Sequence, residues 1–144
     1  MKIALGSDHG GYALKESVKD YVLKLGHRVV DAGTSGTESV NYPEYGFAVG
    51  ELVANEDCDK GIVFCTSGIG ISIAANKVKG VRAALCDNIK LAELARKHND
   101  ANVLALGAIS VSMDEANSIT EIFLNTEFEG GRHTNRVHML DNYK

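Results

Sequence analysis

Short apolar runs alternate with amphipathic stretches along the whole chain. The runs have the length and residue types of buried β-strands, and they cover residues 2–5, 28–30, 62–65, 81–85 and 103–106. Between and after them, apolar residues recur at helical spacing and predict helices over residues 12–25, 44–55, 68–78, 89–97, 114–124 and 132–143. Strands that alternate with helices predict an α/β fold, in which helices cover both faces of a five-stranded parallel sheet.

Each predicted helix carries one apolar face. In the first helix this face consists of Leu14, Val18, Tyr21, Val22 and Leu25, and Gly26 then ends the helix. In the second helix it consists of Phe47, Leu52 and Val53. Asp114 and Glu115 favour the start of the fifth helix. The tail helix contains Val137 and Leu140, which need a surface to pack on.

The composition is that of an ordinary globular protein. The chain has 144 residues, of which 44% are apolar and 24% charged, and this predicts one domain over residues 1–144. A net charge of −4 argues against nucleic acid or an anionic membrane as a partner. No apolar segment reaches membrane-spanning length, and the run at residues 1–5 is too short for a signal peptide.

The cysteines and histidines predict neither a disulfide nor a metal site. Cys58, Cys65 and Cys86 are odd in number and widely spaced, so we expect free thiols in a reducing cytoplasm. The five histidines include no pair at the helical spacing of metal ligands. Neither glycine-rich segment has the complete G-x-G-x-x-G spacing of a dinucleotide site, so we expect no cofactor.

The segments that follow the predicted strands carry the candidate chemistry, because ligands of parallel sheets bind beyond the carboxyl ends of the strands. After the first strand, Ser7-Asp8-His9-Gly10-Gly11 allows close backbone approach to a ligand. Asp8 is placed to accept a hydrogen bond from a substrate hydroxyl, and His9 to bind an anion. The alternative is an Asp8 that caps the next helix beside an exposed histidine.

The third strand ends in Cys65, and Thr66-Ser67-Gly68 then leads directly into a helix. A helix N-terminus favours negative charge on the sulfur and on any oxygen bound beside it. Such a thiolate is suited to take a proton from carbon, while Ser67 and the backbone amides through Gly70 hold the developing oxyanion. The alternative is that Cys65 is a small buried apolar residue, as we expect for Cys58 and Cys86.

Two polar segments lie in the second half of the chain. His98 follows the fourth predicted helix, where a histidine often only complements the helix dipole. Arg132 and Arg136 are four residues apart, so on a helix they form one face that fits a phosphate. The alternatives are a solvated tail, or a C-terminal arm over residues 130–144 that reaches another subunit.

Taken together, several long motifs resemble the type B ribose-5-phosphate isomerase family, which also contains galactose-6-phosphate and allose-6-phosphate isomerases. The resemblance runs nearly end to end. It is carried by G-S-D-H-G-G, the pair Tyr42-Pro43, C-T-S-G-I-G-I-S-I-A-A-N-K, H-N-D-A-N-V-L-A-L-G and G-G-R-H-x-x-R-V.

The resemblance implies a metal-free aldose–ketose isomerase with a Rossmann-like three-layer sandwich, which works as a homodimer or tetramer with active sites shared between subunits. Cys65 would be the base that moves a proton between carbons 2 and 1, and His98 would assist ring opening. The residues that would hold the sugar oxygens and the enediolate are Asp8, Tyr42, Thr66, Ser67, Gly68, Ile69, Gly70 and Asn99. The residues that would bind the phosphate are His9, Arg132 and Arg136.

The sequence departs from the family pattern at three positions. Ile71 stands where one branch has a catalytic glutamate, which places the chain with the cysteine-dependent branch. Thr66 stands where many members have glycine, and Ile109 replaces a ligand-binding arginine. The resemblance makes ribose 5-phosphate the expected substrate, and the loss of a cation at Ile109 keeps allose 6-phosphate or galactose 6-phosphate as alternatives. A non-catalytic phosphate-binding module and an inactive subunit of a hetero-oligomer are the remaining alternatives.

Overall fold

A computed structural model describes all 144 residues of the chain. Its strands are β1 (Lys2–Ser7), β2 (Arg28–Asp31), β3 (Lys60–Cys65), β4 (Ala83–Leu85) and β5 (Val103–Gly107). Its helices are α1 (Tyr12–Lys24), α2 (Tyr42–Ala54), α3 (Ile69–Asn76), α4 (Ile89–Asn99), α5 (Met113–Asn125) and α6 (Arg132–Asp141). No helix combines the length and the apolar character needed to cross a membrane.

The five strands form one parallel sheet in the order β2-β1-β3-β5-β4. Alternate strand residues face opposite sides, as the period of a strand requires. Ile62 and Phe64 pack against α1, α4 and α5, whereas Val63 and Cys65 pack against α2 and α3. The predicted α/β fold with helices on both faces of the sheet is confirmed, and Cys65 lies on the α2–α3 side.

The apolar face predicted for α2 is wrong at Phe47, which is 40% exposed. The buried face of this helix instead contains two glycines and two valines, namely Gly46, Val49, Gly50 and Val53. A methyl group at Gly46 would lie 2.7 Å from the Cβ of Ala74 on α3, so the two helix backbones approach too closely for a side chain. The glycines therefore define the contact between α2 and α3.

Helix α2 also begins earlier than predicted, at Tyr42 instead of residue 44. Pro43 lies in its first turn, where a proline lacks only an N–H that has no helical partner. This early start matters for the site, because it fixes Tyr42 to the rigid end of a helix.

Helix α6 packs on α4 through one side only. His133 and Val137, four residues apart, are buried on that side, while Leu140 is 60% exposed. The prediction that the tail helix needs a surface to pack on is thus confirmed for Val137, which is buried within the same chain. Leu140 has no such surface in the chain.

One buried ion pair anchors the segment between β2 and α2. The Nζ atom of Lys15 lies 2.7 and 2.8 Å from the two carboxylate oxygens of Asp31, and the Lys15 side chain is 1% exposed. Burial raises the pKa of Asp31, but the hydrogen bonds from Lys15 and from the Gly33 N–H more than offset this, and the net pKa is below its usual value. The periodic pattern of α1 predicts only apolar residues on this face and did not reveal Lys15.

We expect Lys15→Ala to lower the free energy of unfolding by about 3 kcal/mol, because it leaves a cavity and removes the principal partner of Asp31. Lys19→Ala is the matched control, since Lys19 binds the same carboxylate from the surface, at 3.0 Å. Its loss is expected to cost less than about 1 kcal/mol. Urea denaturation of both variants measures the difference, and equal costs would contradict a special role for the buried amine.

Candidate active site

Cys65 is the last residue of β3 and lies at the carboxyl edge of the sheet, 5% exposed. Its Sγ accepts a hydrogen bond from the Gly68 N–H at 3.1 Å. Gly68 has φ 78°, and a Cβ there would lie 2.9 Å from the backbone of Leu106 and Gly107. Glycine is therefore required at the position that turns the chain back towards the sulfur.

Helix α3 begins beside this sulfur and offers free backbone donors. The Gly70 and Ile71 N–H groups donate to no atom of the chain. The Ile69 N–H donates to the Oγ of Ser67 at 3.2 Å, so the Ser67 hydroxyl proton remains available. The sulfur thus faces a backbone donor, and the free amides beside it suit an oxyanion bound next to the sulfur.

The loop after β1 packs against the turn after β3. A Cβ on Gly10 would collide with the Oγ1 of Thr66, and one on Gly11 would lie 2.6 Å from the Phe64 carbonyl. The Thr66 side chain therefore occupies the space next to Gly10, which has no side chain of its own. The two loops form one continuous surface at the carboxyl edge.

Asp8 lies in this loop and is 7% exposed. Its Oδ1 accepts a hydrogen bond from the Gly11 N–H at 3.0 Å, but Gly11 is itself the N-cap residue of α1, so Asp8 does not cap the helix as the alternative expected. Its Oδ2 accepts no hydrogen bond within the chain. One carboxylate oxygen therefore has a structural role, and the other is free for a ligand.

His9 and Tyr42 complete this group of residues. The Nδ1 of the exposed His9 accepts a hydrogen bond from the Val40 N–H at 3.2 Å, which leaves the proton of the neutral ring on Nε2, where it has no acceptor within the chain. The Tyr42 ring lies over Gly70, where a Cβ would approach it to 2.7 Å. The carboxyl edge thus brings together Asp8, His9, Tyr42, Cys65 and the 66–70 turn.

The other two cysteines have different surroundings. Burial and the neighbouring Asp87 raise the pKa of Cys86 to about 11. Burial raises the pKa of Cys58 as well, with Asp57 and Asp59 adding to the effect of burial. All three cysteines are free, and these two are inert thiols, in agreement with the structural role expected for them.

The remaining candidates lie at the opposite edge of the sheet. His98 and Asn99 form the last turn of α4, and Arg132 and Arg136 are exposed on α6. Neither arginine forms an ion pair within the chain. The His98 ring stacks on the His133 ring, with 4.4 Å between the centroids and 16° between the planes.

The strand register gives the separation between the two groups. The Asn102 carbonyl accepts a hydrogen bond from the Gly61 N–H, so the residues after α4 lie level with the start of β3. Cys65 lies four residues further along β3, about 13 Å away at the usual rise of a strand. A single chain therefore does not bring His98, Asn99 or the arginines to the thiol.

Sequence reasoning missed His133 and Val40. His133 is four residues before Val137, and this spacing marks the buried face of α6, so helical periodicity could have singled it out. The Val40 amide lies in an irregular segment, and no sequence pattern indicates its bond to His9.

Comparison with known proteins gives a consistent result. The family model described as Ribose/Galactose Isomerase matches residues 3–140. The ribose-5-phosphate isomerase B of Escherichia coli K12 is 43% identical over 139 residues, which are 96% of this chain and 93% of that protein.

Two solved structures extend the similarity to the backbone. The ribose-5-phosphate isomerase B of Clostridium thermocellum is 53% identical, with a TM-score of 0.97 over 98% of this chain and 95% of that one. The Mycoplasma genitalium ribose-5-phosphate isomerase B, solved with bound ribulose-5-phosphate, is 41% identical, with a TM-score of 0.94 over 99% and 95% of the two chains. The chain therefore belongs to the ribose/galactose isomerase family.

Proposed function

We propose that this protein interconverts ribose 5-phosphate and ribulose 5-phosphate through an enediolate, with Cys65 as the base. The observation that carries the proposal is the Cys65 sulfur beside the Gly68 amide and the free N–H groups of α3. A base next to preorganised donors is the arrangement that proton abstraction beside a carbonyl requires.

The reaction follows from these groups. Once the sugar is open, the Cys65 thiolate removes the proton from carbon 2, and the electron pair moves into the carbonyl to give an enediolate. The amides of Gly70 and Ile71 stabilise the oxygen on which charge develops. The proton of the carbon 2 hydroxyl moves to the oxygen on carbon 1, and the thiol returns its proton to carbon 1 as carbon 2 becomes the carbonyl. One group thus serves both carbons, and no net proton is consumed. His98 donates and accepts the protons that open the ring.

The substrate must contact residues from both edges of the sheet. We infer that one copy of the chain provides the residues of one edge and a second copy those of the other. His98, Asn99, Arg132 and Arg136 of one copy would meet the carboxyl edge of the other. Unpaired arginines and the free Nε2–H of His9 suit a phosphate. In this arrangement residues 130–144 are the segment that reaches the neighbouring subunit.

Apolar side chains at the carboxyl edge support this association. Ile69, Leu85, Leu91 and Ile109 line a depression of about 300 Å³ there. Each is more than 40% exposed, and Ile109 is 76% exposed. An apolar patch of this kind on a small domain indicates a contact surface. We infer a homodimer or a tetramer built from such pairs, and three free thiols favour a cytoplasmic location.

Substrate choice is the direct test of the proposed reaction. The purified chain is assayed for ketose formation from ribose 5-phosphate, allose 6-phosphate and galactose 6-phosphate. We expect the highest kcat/KM with ribose 5-phosphate. A higher value with either hexose phosphate would assign the chain to that substrate instead, and tight binding of all three without turnover would favour the phosphate-binding module.

A further inference from the structure

Three side chains with metal-ligating atoms converge where α4, α6 and the segment before α6 meet. They are His98, Glu129 and His133, and one ligating atom of each lies within 4.8 Å of the others. The backbone holds the group together, because the Glu129 N–H donates to the Lys97 carbonyl at 3.2 Å. The stacked imidazoles fix the two histidines side by side.

The spacing of the cluster matches a transition-metal site. Two ligands of a tetrahedral zinc ion are about 3.4 Å apart when each bond is about 2.1 Å long. The Nε2 of His133 and the Oε1 of Glu129 are 3.5 Å apart. The three ligating atoms lie within 4.8 Å of one another, so metal binding requires the half-buried His98 ring to move out of its stack on His133 and approach the other two ligands.

The state of His133 also favours a ligand. Its side chain is 7% exposed and forms no hydrogen bond within the chain, and its Nε2 lies 3.5 Å from the Oε1 of Glu129. An ion between this imidazole and the Glu129 carboxylate would bridge two groups that no hydrogen bond joins.

We propose that His98, Glu129 and His133 bind a divalent transition-metal ion of the zinc class, and that the bound ion inhibits the enzyme. Two imidazoles and one carboxylate are a zinc ligand set, with a fourth position left for water. The ion would occupy the lone pair that His98 needs for ring opening. Arg132 and Arg136 oppose a dication nearby, so we expect affinity on the order of micromolar rather than nanomolar. The inhibition, but not the binding, depends on the proposed function.

Sequence spacing does not indicate this cluster, because its residues come from two helices and the segment between α5 and α6. We expected no metal site from the sequence because we considered only histidine pairs at the spacing of one helix.

Zinc binding is measured by calorimetry on the whole chain in a phosphate-free buffer. We expect one ion per chain, with affinity at least about tenfold weaker in Glu129→Gln and in His133→Asn. Glu127→Gln is the matched control, since this exposed carboxylate lies outside the cluster, and it should bind as the wild type does. Cys65→Ala should also retain binding, which separates the cluster from a thiol site.

Activity gives the second readout. Glu129→Gln should keep the turnover of the wild type and lose its inhibition by micromolar zinc. Absence of binding up to millimolar zinc, or binding lost in Cys65→Ala and unchanged in Glu129→Gln, would overturn the proposal. If zinc binds at the cluster but no sugar phosphate is isomerised by any form, the metal site stands and the proposed function fails.

Discussion

Cys65→Ala is expected to lower kcat for isomerisation by about a thousandfold or more, because it removes the proposed base from its place next to the Gly68 amide and the start of α3. The variant should still fold. The sulfur fills a small space in the apolar layer below α2 and α3, and its loss should cost about 1 kcal/mol of unfolding free energy. Initial rates with ribose 5-phosphate and urea denaturation measure the two effects separately.

Cys86→Ala provides the control for this result. Cys86 is equally buried, at 2% exposed, and burial raises its pKa to about 11, so it cannot act as a base near neutral pH. Its replacement should change kcat by no more than about twofold. Turnover near that of the wild type in Cys65→Ala would show that the base has been assigned wrongly.

Mixing two inactive variants is expected to restore activity. Cys65→Ala and His98→Asn each damage every site of their own homodimer, since the two residues lie at opposite edges of the sheet. In a hybrid dimer, one site combines both defects and the other combines an intact Cys65 with the partner's intact His98. Random pairing gives half hybrids, each with one working site, so about one quarter of wild-type activity should return.

Coexpression of the two chains with different tags and purification on both tags isolates the hybrid. The matched control pairs Cys65→Ala with Asp8→Ala. Both of these changes lie in the carboxyl-edge group, so every site of that hybrid is damaged and no activity should return. Failure of the first pair to regain activity, with both chains folded and paired, would contradict a site shared between copies.

Much of the fold could be predicted because local and global signals agree. Alternate strand residues such as Phe64 and Cys65, and helix positions such as Val18 and Val22, carry the apolar periodicity of a sheet covered on both faces. The prediction failed at Phe47, where backbone contact through Gly46 decides which side of α2 is buried. A hydrophobicity pattern gives no weight to a residue without a side chain.

The site could be predicted in part for a similar reason. Cys65 is followed directly by its turn, and Arg132 and Arg136 are four residues apart, so each of these two groups can be recognised within a short segment of the sequence. The Val40 bond to His9 and the stack of His98 on His133 join segments that are distant along the chain. Such contacts depend on how the elements pack, which no local pattern encodes.

The opposite-edge placement of Cys65 and His98 has a consequence for the cell. If two copies share each site, as we propose, a lone chain can be folded and yet lack the residues of one sheet edge, and the rate then becomes second order in protein concentration when the protein is scarce. Output would then rise steeply with expression level and vanish on dilution without any denaturation. The abundance of the polypeptide would itself act as a control on flux.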